Sequence, residues 1–212
     1  MKIGILGSGN VAKVLGNGLL AKGHEVKLGS RTPEKLNEWL EKAQNNASIG
    51  TFSEVAEFGE VIFLCTLGNA VQDAITLSGI EKFSNKVIID VTNPLDFSQG
   101  LPPKFTATIG NSLGEEIQRL IPEAHVVKAF NTISVNIMVN PKLEEGTPTL
   151  LISGNNSDAK KTVTTIAEDF GWEVEDLGGI EQAFLIEAQA MLWISYGFKN
   201  NHWTHAFKLL KK

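Results

Sequence analysis

The chain has 212 residues, 42% of them hydrophobic and 20% charged, with a formal net charge of -5 at pH 7. That length holds one well-cored α/β domain with a small appendage, and the mildly acidic balance gives no global attraction to nucleic acid or anionic membrane. No apolar run approaches the roughly 20 residues that cross a bilayer, and the N-terminus enters a core strand directly, so no signal peptide is expected. The single cysteine, Cys65, lies within an apolar run. It cannot form an internal disulfide and reads as core filler in a chain suited to a reducing cytoplasm.

Residues 3–6 make a short apolar run of the kind that forms a strand buried on both faces. The turn Gly7-Ser8-Gly9-Asn10-Val11-Ala12 follows, a GxGxxA pattern, and a helical periodicity through Val14, Leu15, Leu19 and Leu20 runs to Gly23. A second strand is predicted over 25–28. A glycine turn alone is a weak signal, but between a strand and a helix that leads into a further strand it becomes a dinucleotide-binding hypothesis. Gly7 permits the tight turn, Gly9 lets backbone approach a pyrophosphate, and Ala12 keeps the helix near the strand. The helix N-terminus supplies free N–H groups and a positive dipole end. The blander reading is a glycine turn that carries no nucleotide.

NAD sites usually place an Asp or Glu at the end of the second strand, bonded to the ribose 2′-hydroxyl. Here that strand runs out into Ser30, Arg31 and Thr32 with no carboxylate at its end. Arg31 offers a planar donor fork suited to phosphate, Ser30 and Thr32 add hydroxyls, and Lys35 follows about one helical turn on. A carboxylate would repel a 2′-phosphate, so its absence weighs as much as the arginine. These residues point to NADP(H) over NAD(H); the alternative is that Arg31 is a solvated loop charge.

Thr32-Pro33-Glu34 is a favourable helix start, with Thr32 as cap. The helix it opens carries Leu36, Trp39 and Leu40 and ends before Asn45. A short strand near 48–51 follows, then a helix opening at Ser53 with Val55, Ala56 and Phe58 inward, then a central strand over 61–66. Leu67, Gly68, Asn69 and Ala70 lead into a helix with Val71, Ala74 and Ile75 inward. A strand over 86–91 closes on Thr92, Asn93 and Pro94. Ser112 with Glu115 reads as a capping box opening a helix to Leu120. A strand over 125–130 runs into Asn131, Thr132 and Ile133. Beyond it come a strand over 149–153, a helix over 157–170 and a short strand over 173–177. A mostly apolar helix over 180–198 and a short final helix over 200–211 end the chain. This alternation predicts an α/β fold of Rossmann type: a doubly wound, mainly parallel sheet with a short helical C-terminal extension. Residues 1–178 are read as the NADP-binding domain and 179–212 as an extension within the same structural unit.

Ligands of open α/β sheets gather beyond the carboxyl ends of the strands. Those ends supply Gly7, Ser8, Gly9, Asn10 and Val11; Ser30, Arg31, Thr32 and Lys35; Leu67 and Gly68; Asn93 and Pro94; and Asn131. Asn before Pro is also an ordinary turn. Asn131 is more telling, because a strand apolar to Phe130 ends abruptly in hydrogen-bonding side chains. No HExxH, CxxC or Ser/His/Asp spacing is present, so no catalytic residue and no metal ligand is assigned. His202 and His205 read as a solvated pair beside Trp203 in a polar tail. Hydride transfer between two ring systems chiefly needs the rings held face to face with water excluded, so a quiet inventory fits it.

The segments MKIGILGSGNVA, GHEVKLGSR, IIDVTNPL (88–95) and VVKAFNTI (126–133) resemble, in order and spacing, the NADP oxidoreductases that depend on the deazaflavin coenzyme F420. The fold is also similar to the cytoplasmic NADPH-binding part of the six-transmembrane metalloreductases. The resemblance implies that Ser30, Arg31 and Lys35 hold the 2′-phosphate. It further implies that hydride passes between the nicotinamide and a flavin-like acceptor, flavin or F420, near Asn131, Thr132 and Ile133. Two other readings stay open: a non-catalytic NADP(H)-binding module, and a small-substrate dehydrogenase with a similar GxGNxA turn. For the latter, the residues after Leu177 are too few to build the usual long helical C-terminal domain.

Apolar residues at 183, 184, 186, 188 and 190–194 cover more of the 180–198 helix than one face can hide against a sheet. The simplest partner is the same helix of a second subunit, giving a homodimer with the acceptor cleft, and Trp193 or Tyr196, near the contact. The alternative is that residues 199–212 fold back as the cover, with Trp203 and Phe207 over the apolar surface.

Overall fold

A computed structural model of the chain describes residues 1–43 and 45–212. The first half comprises β1 (Lys2–Leu6), α1 (Asn10–Ala21), β2 (Glu25–Gly29), α2 (Asn37–Lys42), β3 (Ala47–Gly50), α3 (Phe52–Phe58), β4 (Val61–Leu64), α4 (Val71–Ser78) and β5 (Val87–Asp90). The second comprises β6 (Leu95–Asp96), β7 (Lys104–Phe105), α5 (Leu113–Leu120), β8 (His125–Lys128), β9 (Thr149–Gly154), α6 (Ser157–Phe170), β10 (Glu173–Asp176) and α7 (Ala183–Asn200). No helix of the described residues is long and apolar enough to cross a membrane.

Eight strands form one sheet in the order β10-β9-β8-β5-β4-β1-β2-β3, and β6 pairs with β7 apart from it. Sheet neighbours run parallel except β8 and β9, which meet antiparallel at Val127↔Gly154 and Lys128↔Ser153. The expected Rossmann-type α/β fold holds. The reversal at β9 has a local cause: the segment after β8 carries a short 3-10 turn, Val135–Ile137, instead of the helical crossover a parallel return needs.

Strand side chains alternate between two cores. Ile3, Ile5 and Phe63 pack with Leu15 and Leu19 of α1 and with Val163 and Ile166 of α6. Leu6, Ile62 and Leu64 face the other way, onto Val55, Val71, Ile75 and Ile117 of α3, α4 and α5. Both faces of the sheet are therefore covered, which is why the central strands are apolar throughout.

Several local expectations are corrected. Thr32 does not cap; its backbone N–H donates to Ser30 Oγ at 3.1 Å, and Pro33–Leu36 is a 3-10 turn ahead of the short α2. The helix expected from Ser53 starts at Phe52, capped by Thr51, which forms a reciprocal capping box with Glu54. Ser112 and Glu115 form the expected box at α5. The helix expected over 180–198 is a 3-10 turn, Ile180–Gln182, followed by α7 to Asn200.

Residues 201–212 are not helical. They fold back along α7 and the start of β9: Trp193 Nε1 donates to the His205 carbonyl at 2.8 Å, and Thr149 N–H donates to the Phe207 carbonyl at 3.0 Å. His205, expected in solvent, is half-buried and stacks on Trp193 with ring centroids 4.6 Å apart. The cover on Trp193 comes from Trp203 and His205, while Phe207 stays exposed.

The turn after β1 depends on Gly7. Its φ is +150°, and a Cβ there would lie 2.4 Å from the Cys65 carbonyl oxygen, whereas a Cβ on Gly9 would meet nothing within 4 Å. Gly7→Ala is expected to destabilise the fold by about 3 kcal/mol through strain and backbone overlap. Gly9→Ala should stay within about 0.5 kcal/mol of the parent. Urea unfolding of both variants checks this, and equal losses would contradict it.

Candidate functional site

Beyond the carboxyl ends of β1, β2, β4, β5 and β8 lies a cleft of about 870 Å³. One wall is the glycine turn, formed by Gly7, Ser8, Gly9, Asn10 and Val11. The Gly7 N–H donates to the Gly29 carbonyl at 3.0 Å, which ties the turn to the end of β2. Gly9 occupies the cap position of α1 with an ordinary extended backbone and brings no capping side chain; the first turn also holds no carboxylate. The leading N–H groups of α1 thus have neither an intrahelical nor a side-chain acceptor, which makes this end receptive to an anion.

The second wall carries the charge. Ser30, Arg31, Thr32 and Lys35 all line the cleft. Ser30 is nearly buried, its N–H held by the Gly50 carbonyl at 3.1 Å and its Oγ engaged by Thr32 N–H. Arg31 and Lys35 are exposed, and among the described residues neither is ion-paired with a carboxylate. Two uncompensated cations beside two hydroxyls can grip a phosphate monoester.

The far wall joins β5 and β8. Asn93 Nδ2 donates to the Asn131 carbonyl at 2.8 Å, and Asn131 Nδ2 donates back to Asn93 Oδ1 at 2.9 Å. Asn131 Nδ2 also reaches the Ile186 carbonyl in α7 at 3.2 Å. Just before this clasp, Phe130 adopts φ +59°. A bulky residue in the left-handed region is a true outlier, costing about 1–3 kcal/mol. Burial offsets it: Phe130 is fully buried, with Phe63 and Phe170 each at 6.1 Å between ring centroids. The strained step redirects the chain out of β8, so Asn131 lies beside Asn93.

Of the residues expected at the site, the cleft gathers all but three. Gly68 and Pro94 line an adjacent polar hollow of about 340 Å³. Gly68 is small because a Cβ would fall 2.0 Å from the Asn93 carbonyl oxygen, a packing reason, not one of contact with a ligand. Thr132 points toward α7, its hydroxyl donating to the Ile186 carbonyl at 3.3 Å. Leu67 and Ile133 line the cleft as expected.

Other lining residues escaped the reading of the sequence. Ala70, Asp73, Ala74 and Leu77 line the cleft from α4 and the turn before it. Their i, i+3, i+4, i+7 spacing is a helical face legible in the sequence; of the four, only Ala74 is assigned a side by that reading, facing the core. Val91, Val135 and Met138 add apolar surface near Asn131, and Phe52, Cys65 and Thr66 complete the floor. Burial, with the Asp90 carboxylate adding to it, pushes the Cys65 thiol far above its ordinary value. A neutral thiol is a poor nucleophile.

A profile of the family described as NADP oxidoreductase, coenzyme F420-dependent, matches residues 2–94, the stretch that holds the glycine turn, Arg31 and Asn93. A solved structure of a candidate F420-dependent NADP-reductase from Arthrobacter sp. FB24 aligns with a TM-score of 0.94 at 35% identity, covering 100% of both chains. The F420-dependent NADP reductase of Methanocaldococcus jannaschii is 29% identical over 94% of this chain and 93% of its own length. Metalloreductase STEAP3 of Rattus norvegicus is 30% identical over 88% of this chain, which spans 36% of that protein's length. The chain thus belongs to a family of NADP-dependent oxidoreductases, the coenzyme F420-dependent NADP oxidoreductases.

Proposed function

We propose that the cleft binds NADP(H) and that the protein transfers hydride between NADPH and a small flavin-like acceptor, a flavin or the deazaflavin F420. The observation that carries this reading is the pair of exposed cations Arg31 and Lys35, free of any carboxylate among the described residues, in one cleft with an uncapped helix start. NADPH, when bound, supplies the hydride; the chain supplies grip, orientation and dryness.

In this reading the α1 N–H groups and the open face of Gly9 receive the pyrophosphate. Arg31 and Lys35, with Ser30 and Thr32, receive the 2′-phosphate. Leu67 borders the bound dinucleotide, while Gly68 and Pro94 act at one remove by seating Asn93. The Asn93–Asn131 clasp orients the nicotinamide end, where Val91, Ile133, Val135 and Met138 exclude water. The acceptor stacks near Asn131, Thr132 and Ile133, beside α7. Ring-to-ring hydride transfer at short range requires this positioning and no further acid or base from the chain. Residues 1–178 and 179–212 work as one unit, because Ile186 of α7 closes the Asn131 corner. A reducing cytoplasm suits the lone cysteine.

Assembly belongs to the same reading. The tail covers the Trp193 side of α7, yet Leu185, Leu192 and Tyr196 remain 54%, 65% and 49% exposed. Their spacing puts them in one stripe along the helix. Such a stripe is self-complementary across a two-fold axis, so the proposed assembly is a homodimer through α7.

Arg31→Ala is expected to weaken NADPH binding by about 1.5–3 kcal/mol, the scale of a charge-assisted hydrogen bond, and to leave NADH binding nearly unchanged. Fluorescence titration with each nucleotide checks it; equal losses would sink the assignment of the 2′-phosphate. Light scattering at micromolar concentration addresses assembly. A mass of about twice 23.0 kDa is expected, and a clean monomer mass would remove the dimer.

A further inference from the structure

Directly behind the clasp lies a cluster of charges with no access to solvent. Asp90 at the end of β5, Lys128 at the end of β8 and Glu187 in the first turns of α7 are each 0% exposed. Lys128 Nζ lies 2.7 Å from Asp90 Oδ2, 2.8 Å from Glu187 Oε1 and 2.7 Å from the Thr92 carbonyl oxygen, which uses all three of its N–H bonds. The other contacts of both carboxylates are also with donors. Asp90 Oδ1 accepts from the Thr92 N–H and hydroxyl. Glu187 accepts from the N–H groups of Leu113 and Gly114, at the start of α5, at 3.1 and 3.0 Å. Burial alone would push the Lys128 ammonium down, but the two carboxylates outweigh it and hold it above its ordinary value.

Each group of the clasp is chained to a member of this cluster. Asn93 follows Thr92, whose carbonyl receives Lys128. Asn131 lies just beyond Lys128 along the chain, with the strained Phe130 between them. The Ile186 carbonyl, which receives Asn131 and Thr132, directly precedes Glu187. Stability is a weak reason to keep such a cluster, since well-packed apolar residues of similar volume commonly serve as well or better. What an apolar cluster lacks is direction: three fixed donor–acceptor lines that set how β5, β8 and α7 stand to one another.

We propose that Asp90, Lys128 and Glu187 are positioning residues for hydride transfer, holding the Asn93–Asn131 clasp in the one geometry that aligns the nicotinamide end with the acceptor. This inference rests on the NADP(H) reading above. It predicts that disturbing the cluster harms the nicotinamide end and spares the 2′-phosphate end.

The test compares the wild type with Glu187→Gln, close in size, and with the charge-free combination Asp90→Asn, Lys128→Met and Glu187→Gln. Three quantities are read: affinity for adenosine 2′,5′-bisphosphate, fluorescence of bound NADPH, and the steady-state constants for NADPH oxidation by FMN, riboflavin and F420. The expected result is a kcat lower by about tenfold or more and an altered fluorescence of the bound nicotinamide, with bisphosphate affinity and the KM for NADPH little changed. Unchanged kcat and fluorescence in a folded variant would overturn the proposal. So would a parallel fall of bisphosphate affinity, kcat and melting temperature, or failure of both variants to fold, since each marks a purely structural role. If the wild type oxidises NADPH with no acceptor, the functional reading fails, while the fluorescence and bisphosphate titrations still decide whether the cluster governs the nicotinamide end.

Discussion

The ends of β1 and β4 meet so closely that the chain has no room for a side chain at Gly7, where the Cys65 carbonyl would overlap any Cβ. The rest of the cleft follows from that contact. It forces the chain leaving β1 to turn at once over the sheet edge, and α1 begins within three residues with its first N–H groups uncapped. The next strand in sequence, β2, pairs on one side of β1, and β4 pairs on the other. This divergence opens the crevice in which doubly wound sheets bind ligands. Gly9 answers to a different demand, because nothing in the protein itself requires it to lack a side chain.

Two kinds of electrostatics stand at opposite ends of this crevice. At the β2 end the cations are exposed and, among the described residues, unpaired, a state suited to meeting an anion from solution. At the β5–β8 end the charges are buried and saturated, bonded to fixed partners. One end is built to attract, the other to hold shape. The strained Phe130 belongs to the second: its packing between two aromatic rings supports a backbone conformation that local preference opposes.

Much of this was legible in the sequence because it is local. The strand, glycine turn and helix follow from spacing alone, and Arg31 stands where the chemistry of the second strand end is read. Asn93 and Asn131 were visible as polar stops to apolar strands. The Thr51 box is equally local, a T-x-x-E pattern, which placing the helix start at Ser53 passed over. What could not be read depends on distant partners. Lys128 sits in an apolar strand, and its need for Asp90 and Glu187 emerges only when β5, β8 and α7 come together. The unwound tail depends likewise on the Trp193 surface available to receive His205.

Whether the cleft is shaped for a dinucleotide carrying a 2′-phosphate is tested most directly by calorimetric titration of the unmodified protein with NADP⁺ and NAD⁺ under one salt concentration. With a 2′-phosphate held by Arg31 and Lys35, NADP⁺ is expected to bind at least about tenfold more tightly, a difference of roughly 1.4 kcal/mol or more. Equal affinities, or tighter binding of NAD⁺, would contradict it.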